Sequence, residues 1–398
     1  MNRSWFFRRS IFTLTATLLS LSCDRRTPDA STPNIDAPIA LAETRFLGND
    51  GVEVEGATLS ILLLGSGRTA MIDPFGHAVL LFDDRQKQTA SLGRAGEGPG
   101  EFAGASSIIS GKGDTLEVWD SVQYRLSYLD RSVRFVKSSP LAKWPTEPFF
   151  KIVGQFANGR LVGLTKISTR LTMGRTELTT DSVGVLVGYP DSVPKTIFVL
   201  RGVTSVHAID GASMVSLGVE ATFPNAGIVC KMGMILTVEN SLVVYNADKE
   251  TQMRYPSFAP TFPLTSARRR DMTISAVTSV ANPAVRADAE SLIDHELRSR
   301  SVIVASPIID SNGRLWYSKR GAKRLFARYS FSVTLDAMVR LPEAVFPLQA
   351  DDDRFAVIVP GNDSTDHATL ILRIPPTALA ARRTPDAGLG RCGSAFRY

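Results

Sequence analysis

ASSIISGKGDTLEVWDSVQYRLSYLDRSVRFVKSSP, residues 105–140, contains four short runs in which apolar and polar residues alternate, separated by three turn signals. Leu116 and Val118 in one run and Leu126 and Tyr128 in the next lie two residues apart, the period at which a strand buries one face. Four short strands joined by tight turns describe a single antiparallel unit.

The same layout recurs along the chain. A turn followed by a strand appears as GSGRTAMID at 65–73, GKGDTLEVWD at 111–120, ANGRLVGLT at 157–165, KMGMILTVE at 231–239, SNGRLWYSK at 311–319 and DDDRFAVIV at 351–359. Gly67, Gly113 and Gly159 are spaced 46 and 46 residues apart; Gly233, Gly313 and Asp353 follow at 74, 80 and 40. Arg68, Arg160, Arg314 and Arg354 each follow one of these turns. A four-stranded unit repeating every 40–46 residues is the signature of a β-propeller blade. Five units are complete, and the sixth ends after HATLILRIP without a fourth strand. AETRFLGN at 42–49 is free to supply that strand and close the ring. The expected fold is therefore all-β: a six-bladed β-propeller of four-stranded antiparallel blades, with one helical insertion between blades four and five.

LGRAGEGPGEF at 92–102, followed by LEVWDSVQYRLSYLD at 116–130, is similar to the NHL-type repeat, with its G-x-G-P-G-x-F lead-in and V-x-D-x-x-x-x-R core. The layout from 42 to about 375 resembles the bacterial six-bladed β-propeller lipoprotein family. That resemblance implies a fold and gives no activity, since the family is largely of unknown function. It also implies that 93–105 is a blade-linking turn with Phe102 as a wedge. The nest of backbone N–H groups that Gly96, Gly98, Pro99 and Gly100 would otherwise offer an anion lacks a P-loop Lys-Ser/Thr pair.

Charge excludes one class of partner. The net +6 resides at the ends: Arg3, Arg8 and Arg9 in the first 22 residues, and Arg382, Arg383, Arg391 and Arg397 against Asp386 in the last 18. Residues 23–380 are neutral, so the body lacks the field that binds nucleic acid.

Residues 1–22 read as a signal peptide: three arginines, an apolar run from Ile11 to Leu21, then small residues. Cys23 after Ser22 resembles a bacterial lipobox, which implies lipidation of Cys23 and a membrane-anchored protein of the cell envelope. Ser20 and Ser22 equally satisfy ordinary cleavage, which gives a soluble secreted protein. Residues 23–41 read as a disordered tether, 42–376 as the propeller, and 377–398 as a disordered basic tail. Cys230 and Cys392 are expected to be free, although an oxidising compartment permits a bridge between them.

In a propeller, the turns from second to third strand and the blade-to-blade connections share one face. The long excursions at 93–105, 166–182, 201–225 and 258–300 all belong there. In the last of these, Asn282 caps a helix, Pro283 takes its first position, and Val285, Ala289, Leu292, Ile293 and Leu297 form one apolar stripe. The expected role is a lid over the channel mouth, with docking of a partner as the other reading. His77, His207, His295 and His367 are placed in loops of this face, as is a basic set, Arg268, Arg269, Arg270, Lys319, Arg320, Lys323 and Arg324, suited to an anionic ligand. No histidine pair has metal-ligand spacing and G-x-S-x-G is absent.

The functional expectation is a non-catalytic, monomeric binding protein whose loop-rich face takes a ligand or envelope protein. No cofactor is predicted. The alternative is a propeller hydrolase or lyase with a divalent cation on the channel axis, held by residues from several blades; a third reading is a structural subunit of an envelope complex.

Overall fold

The computed structural model describes residues 39–40, 43–46 and most of 60–374. Within the last span, 74–75, 112–114, 147–149, 168–175, 211–212, 219–225, 230, 239–240, 257–260, 279, 299–301, 305–307, 311–312, 319–324, 330–334, 342–345, 352 and 361–366 are not described. The signal peptide, Cys23, residues 24–38 of the tether, Cys230, the 319–324 basic segment and the tail therefore lie outside the described residues.

Among the described residues the chain is mostly β, with six sheets of consecutive antiparallel strands, a two-stranded pairing of Thr261–Pro263 with Val302–Val304, and two helices, a layout consistent with an all-β propeller. Sheet 1 comprises Ile61–Leu63, Thr69–Asp73, Ala78–Phe82 and Gln88–Leu92. Sheet 2 comprises Ala105–Ser110, Leu116–Asp120, Arg125–Leu129 and Phe135–Pro140. Sheet 3 is larger: Lys151–Gln155, Leu161–Ile167, Glu177–Gly188, Lys195–Asp210 and a fifth strand, Ser213–Gly218. Sheet 4 comprises Ala226–Val229, Gly233–Val238, Ser241–Asn246 and Thr251–Pro256. Sheet 5 comprises Ile308–Ile309, Leu315–Ser318, Leu325–Tyr329 and Leu335–Arg340. Sheet 6 comprises Phe346–Ala350, Arg354–Pro360 and His367–Arg373.

The N-terminal pieces complete the last two sheets. Glu43–Phe46, inside the segment expected to act this way, pairs antiparallel with His367–Arg373, Glu43 opposite Arg373 and Phe46 opposite Leu370. Ile39–Ala40 pairs in parallel with Val339–Arg340, so the paired chain begins before residue 42, where the tether was expected to end. Two residues are too short a stretch for an alternating pattern; backbone pairing on an open edge, not side-chain periodicity, places them.

Each sheet is apolar on both faces, and each junction between neighbours has its own core. Ile72 and Leu81 meet Val118 and Phe102 between sheets 1 and 2; Trp119 and Leu126 meet Ile152 and Leu161 between 2 and 3. Val185 and Phe156 meet Leu236 and Tyr245 between 3 and 4, and Ile235 and Val244 meet Leu315 and Tyr317 between 4 and 5. Trp316 and Val339 meet Phe355 and Leu372 between 5 and 6, with the Trp316 and Phe355 rings edge-to-face at 4.5 Å. Ala356 and Ile371 of sheet 6 meet Met71, Leu80 and Phe82 of sheet 1. First strands approach closely enough to require glycine: a Cβ at Gly154 would lie 2.2 Å from Ile228 Cγ1, and one at Gly227 would lie 2.5 Å from Ile309 Cγ2.

Arginines after the first turn of a sheet reach into the next sheet. Arg68 donates to the Arg131 carbonyl at 2.9 Å. Arg160 donates to the Ala247 carbonyl and pairs with Glu250. Arg354 donates to the carbonyls of Leu64 and Arg68 at 2.7 and 3.1 Å. The recurrence of arginine at these turns thus has a structural role that its spacing alone does not disclose.

Candidate functional site

Antiparallel strands alternate in direction, so in each four-stranded sheet the turn from second to third strand and the departure to the next sheet lie on one side, called here the connection side. Two features rise on it beyond the blade height: the long strands of sheet 3 and the insertion between sheets 4 and 5.

The first connection is a structural clamp rather than an anion site. The Asp120 carboxylate accepts backbone N–H bonds from Ala103, Gly104, Val122 and Gln123, at 2.8–3.1 Å. Arg125 donates to the carbonyls of Glu97 and Gly98 at 2.7 and 2.9 Å, and also to that of Glu101. The Asp and Arg of the NHL-like motif therefore hold its own glycine-rich lead-in, and Phe102 is fully buried between sheets 1 and 2. The Gly98 N–H is taken at 2.8 Å by the Glu101 carboxylate, and that bond, followed by Arg94, holds the Glu101 carboxyl below its usual range.

The insertion contains two helices where one was expected. Helix α1, Ser266–Val277, is capped by Thr265, whose hydroxyl accepts from Arg268 N at 3.2 Å. Helix α2, Pro283–Arg298, begins as anticipated: Asn282 Oδ1 accepts from Ala284 N at 3.0 Å. Its apolar stripe is buried at Ala289, Ile293 and Leu297, against Val206 and Leu178 of sheet 3. α1 was missed because its apolar positions, Met272, Ala276 and Val277, are few and follow three arginines.

The partner of this stripe lies in segments expected to be loops. Residues 177–182 and 201–210 are continuous strand, with Leu178 opposite Val206 and Glu177 opposite His207. The correction has a plain cause: ELTTD holds a single apolar residue, Leu178, which with Val206 packs on the helices, while Glu177, Thr179 and His207 alternate with them on the other face, so no run of apolar alternation marks the strands.

That polar face is the candidate site. His207 is 6% exposed, and neither ring nitrogen has a hydrogen-bond partner among the described residues. Burial holds the imidazole below its usual range, against the opposing pull of Asp181. Asp181, itself buried, pairs with Lys166 at 2.7 Å, and the half-buried Glu177 brings the charges facing the ring to three. Thr179 shares the strand face of Glu177, and its hydroxyl also lacks a described partner. The Asp181–Lys166 ion pair and Glu177 thus lie near a ring whose burial disfavours the charged imidazolium. The ring carries one donor and one acceptor, both closed off from bulk solvent and without a partner among the described residues.

The other sequence-derived residues do not join it. His77 is half-buried in a left-handed position, φ 49°, of the turn after Thr69–Asp73. His295 is exposed near the end of α2, and Arg268 and Arg270 are exposed on α1, while Arg269 bonds Ser266 Oγ at 3.1 Å. His367 opens the third strand of sheet 6, and Lys319, Arg320, Lys323 and Arg324 lie outside the described residues. So His207, His295 and His367 belong to strands or a helix, not loops. Among the described residues, no group of three His, Cys, Asp or Glu is arranged for a metal, and no helix is long and apolar enough to cross a membrane.

No protein-family model matches the sequence, and no curated protein matches it. Among solved structures, the chain is similar to a Bacteroides fragilis protein described as exported: 14% identity, TM-score 0.45, covering 83% of this chain and 95% of that one. It is similar also to a member of the DUF4221 family from Bacteroides vulgatus, at 8% identity and TM-score 0.47, covering 84% and 97%. A third likeness is to virginiamycin B lyase from Staphylococcus aureus, at 8% identity and TM-score 0.39, covering 83% and 99%. At these values the likenesses assign neither ligand nor activity to this chain.

Proposed function

We propose that the chain is a six-bladed β-propeller, exported and lipid-anchored through Cys23, that binds a ligand on its connection side without catalysis. Six sheets with six apolar junctions, the last between sheets 6 and 1, support the blade count. Pairing of Glu43–Phe46 with His367–Arg373 supports ring closure by the N-terminal strand. The observation that carries the binding reading is the His207 cluster: a buried imidazole without a described protein partner, on a strand pair that outgrows its blade and is braced by α2. Buried polar groups in folded proteins are normally hydrogen-bonded, so such a ring is a natural contact for a ligand or ordered water.

Thermal melts of the full-length protein in detergent test this reading, with a panel of small polar compounds added to wild type and His207→Phe. A midpoint raised only in wild type is expected. A midpoint that falls with chelator and returns with one divalent metal would overturn the non-catalytic reading in favour of the axial-metal enzyme. Retention of Cys23→Ser on membranes would remove the lipid anchor.

A further inference from the structure

We infer that Lys231 is a two-position latch set by the proton on Glu117: its ammonium stays on the Gly111 carbonyl while Glu117 is protonated and moves to the Glu117 carboxylate once that proton leaves to solvent. Three sheets meet at this point, on the side opposite the connection side. Lys231 sits in the turn between the first two strands of sheet 4, in a left-handed position, φ 56°. Its carbonyl accepts from Ala157 N of sheet 3 at 2.7 Å, and its ammonium reaches on to the Gly111 carbonyl of sheet 2. Glu117 lies against the same glycine, since a Cβ on Gly111 would fall 2.5 Å from Glu117 Oε1. The carboxyl and the carbonyl that holds Lys231 therefore share one neighbourhood, yet among the described residues no ion pair joins Glu117 to Lys231.

That arrangement suits the neutral acid and not the carboxylate. Glu117 is buried and its Oε2 has no hydrogen-bond partner among the described residues; a hydroxyl left so costs far less than a charged oxygen left so. Burial accordingly raises the carboxyl to about 7, opposed first by Lys231, then by a hydrogen bond from Gln155 and by Lys137. Tyr128, opposite Glu117 in the next strand, stays neutral, its hydroxyl lifted to about 12 by burial and then by Glu117. Lys137 is turned to the Tyr128 ring, 4.8 Å from its centroid, which leaves Lys231 to answer a charge on Glu117. A carboxylate draws an ammonium more strongly than a neutral carbonyl does, and a lysine stem has the rotatable bonds for the swing. In either position Lys231 ties sheet 4 to sheet 2, first at a turn and then at the second strand, so rising pH frees the Gly111 carbonyl of its donor.

Gly111–Lys112 is the only Gly-Lys pair in the sequence, which gives the latch a reporter of its own. Full-length protein in detergent, labelled with carbonyl-13C glycine and 15N lysine, yields a single carbonyl–amide correlation, that of Gly111. Wild type is titrated from pH 5 to 8 beside Glu117→Gln and Lys231→Met. The expected Gly111 carbonyl shift matches Glu117→Gln at pH 5, matches Lys231→Met at pH 8 and passes between them near pH 7. Each variant should hold one value throughout. A wild-type signal that does not move overturns the latch, and this result needs no variant, so failure of a variant to fold does not remove the test. Equal movement in wild type and Glu117→Gln overturns it as well, because another group would then be titrating. A wild-type shift that stops well short of the Lys231→Met value also overturns it, because Lys231 would then have kept the Gly111 carbonyl.

Discussion

The guanidinium of Arg354 donates to the carbonyl of Leu64 at 2.7 Å, joining sheet 6 to sheet 1 across 290 residues of chain. Arg354 is 3% exposed and also pairs with Asp351, whose carboxyl is raised by burial despite that pairing. Gln349 accepts from Leu63 N at 3.1 Å and Arg373 donates to the Asp84 carbonyl, so three side chains of sheet 6 hold sheet 1.

Arg354→Ala therefore removes the guanidinium from the Leu64 and Arg68 carbonyls and from the half-buried Asp351 carboxylate, whose other oxygen keeps the backbone donors Asp353 N and Arg354 N. Removing one member of a buried pair typically costs about 3–5 kcal/mol. Arg68→Ala, at an exposed bond to the Arg131 carbonyl, is expected to cost about 1 kcal/mol. Urea unfolding of the two variants checks the contrast, and equal losses would show that the repeated arginine contributes no more at the sheet 6–1 junction than elsewhere.

Deleting residues 39–46 tests the same junction from the edge. It uncovers the strand His367–Arg373 and the outer strand of sheet 5. A lower melting midpoint and concentration-dependent aggregation through the exposed edges are expected. A melt identical to wild type would show that the N-terminal strands do not stabilise the sheets they join.

Much of this architecture was legible because blades are local. Gly113, Asp120 and Arg125 fall in a single 40-residue repeat, and hydrophobic alternation in TLEVWD and YRLSYLD reports burial within the same unit. The connection side was less legible for the opposite reason. Val206 and Leu178 are buried by Ile293 and Leu297, about 90–120 residues away in sequence, so neither their burial nor the solitary state of His207 appears in local pattern. Histidines counted as loop residues turned out to share neither an element nor a neighbourhood. The turn arginines were visible as a repeat, but their bonds to the next sheet arise only from stacking.

Glu117 supplies a pH-dependent prediction on the opposite side. It is 1% exposed between sheets 2 and 3, and burial raises its carboxyl to about 7, with Lys231 and a hydrogen bond from Gln155 opposing. Lys231 in turn donates to the Gly111 carbonyl. The folded state thus holds this proton more tightly than the unfolded chain, whose carboxyl titrates near 4.5. The resulting stabilisation is complete below pH 4.5 and lost as pH rises through about 7, a loss of about 3 kcal/mol. Glu117→Gln removes the titration, so its unfolding free energy should fall less than that of wild type between pH 5 and 8. Identical slopes would mean that Glu117 is not the group responsible.

The helical insertion gives the last prediction, since it separates bracing from folding. Ile293 is fully buried in the α2 stripe against Val206, and Ile293→Ala removes about 2–5 kcal/mol of packing at that contact. The six sheet junctions have their own cores, none of which includes α2, so the loss should be confined to the insertion and the strand pair it braces. Hydrogen exchange should speed up in α2 and at 177–180 and 204–209, while 116–129 and 354–359 keep wild-type protection. His207 lies within the affected strand, so any ligand that depends on it should bind more weakly although the propeller remains folded. Uniformly faster exchange across all six sheets would show instead that the helices are part of the cooperative core.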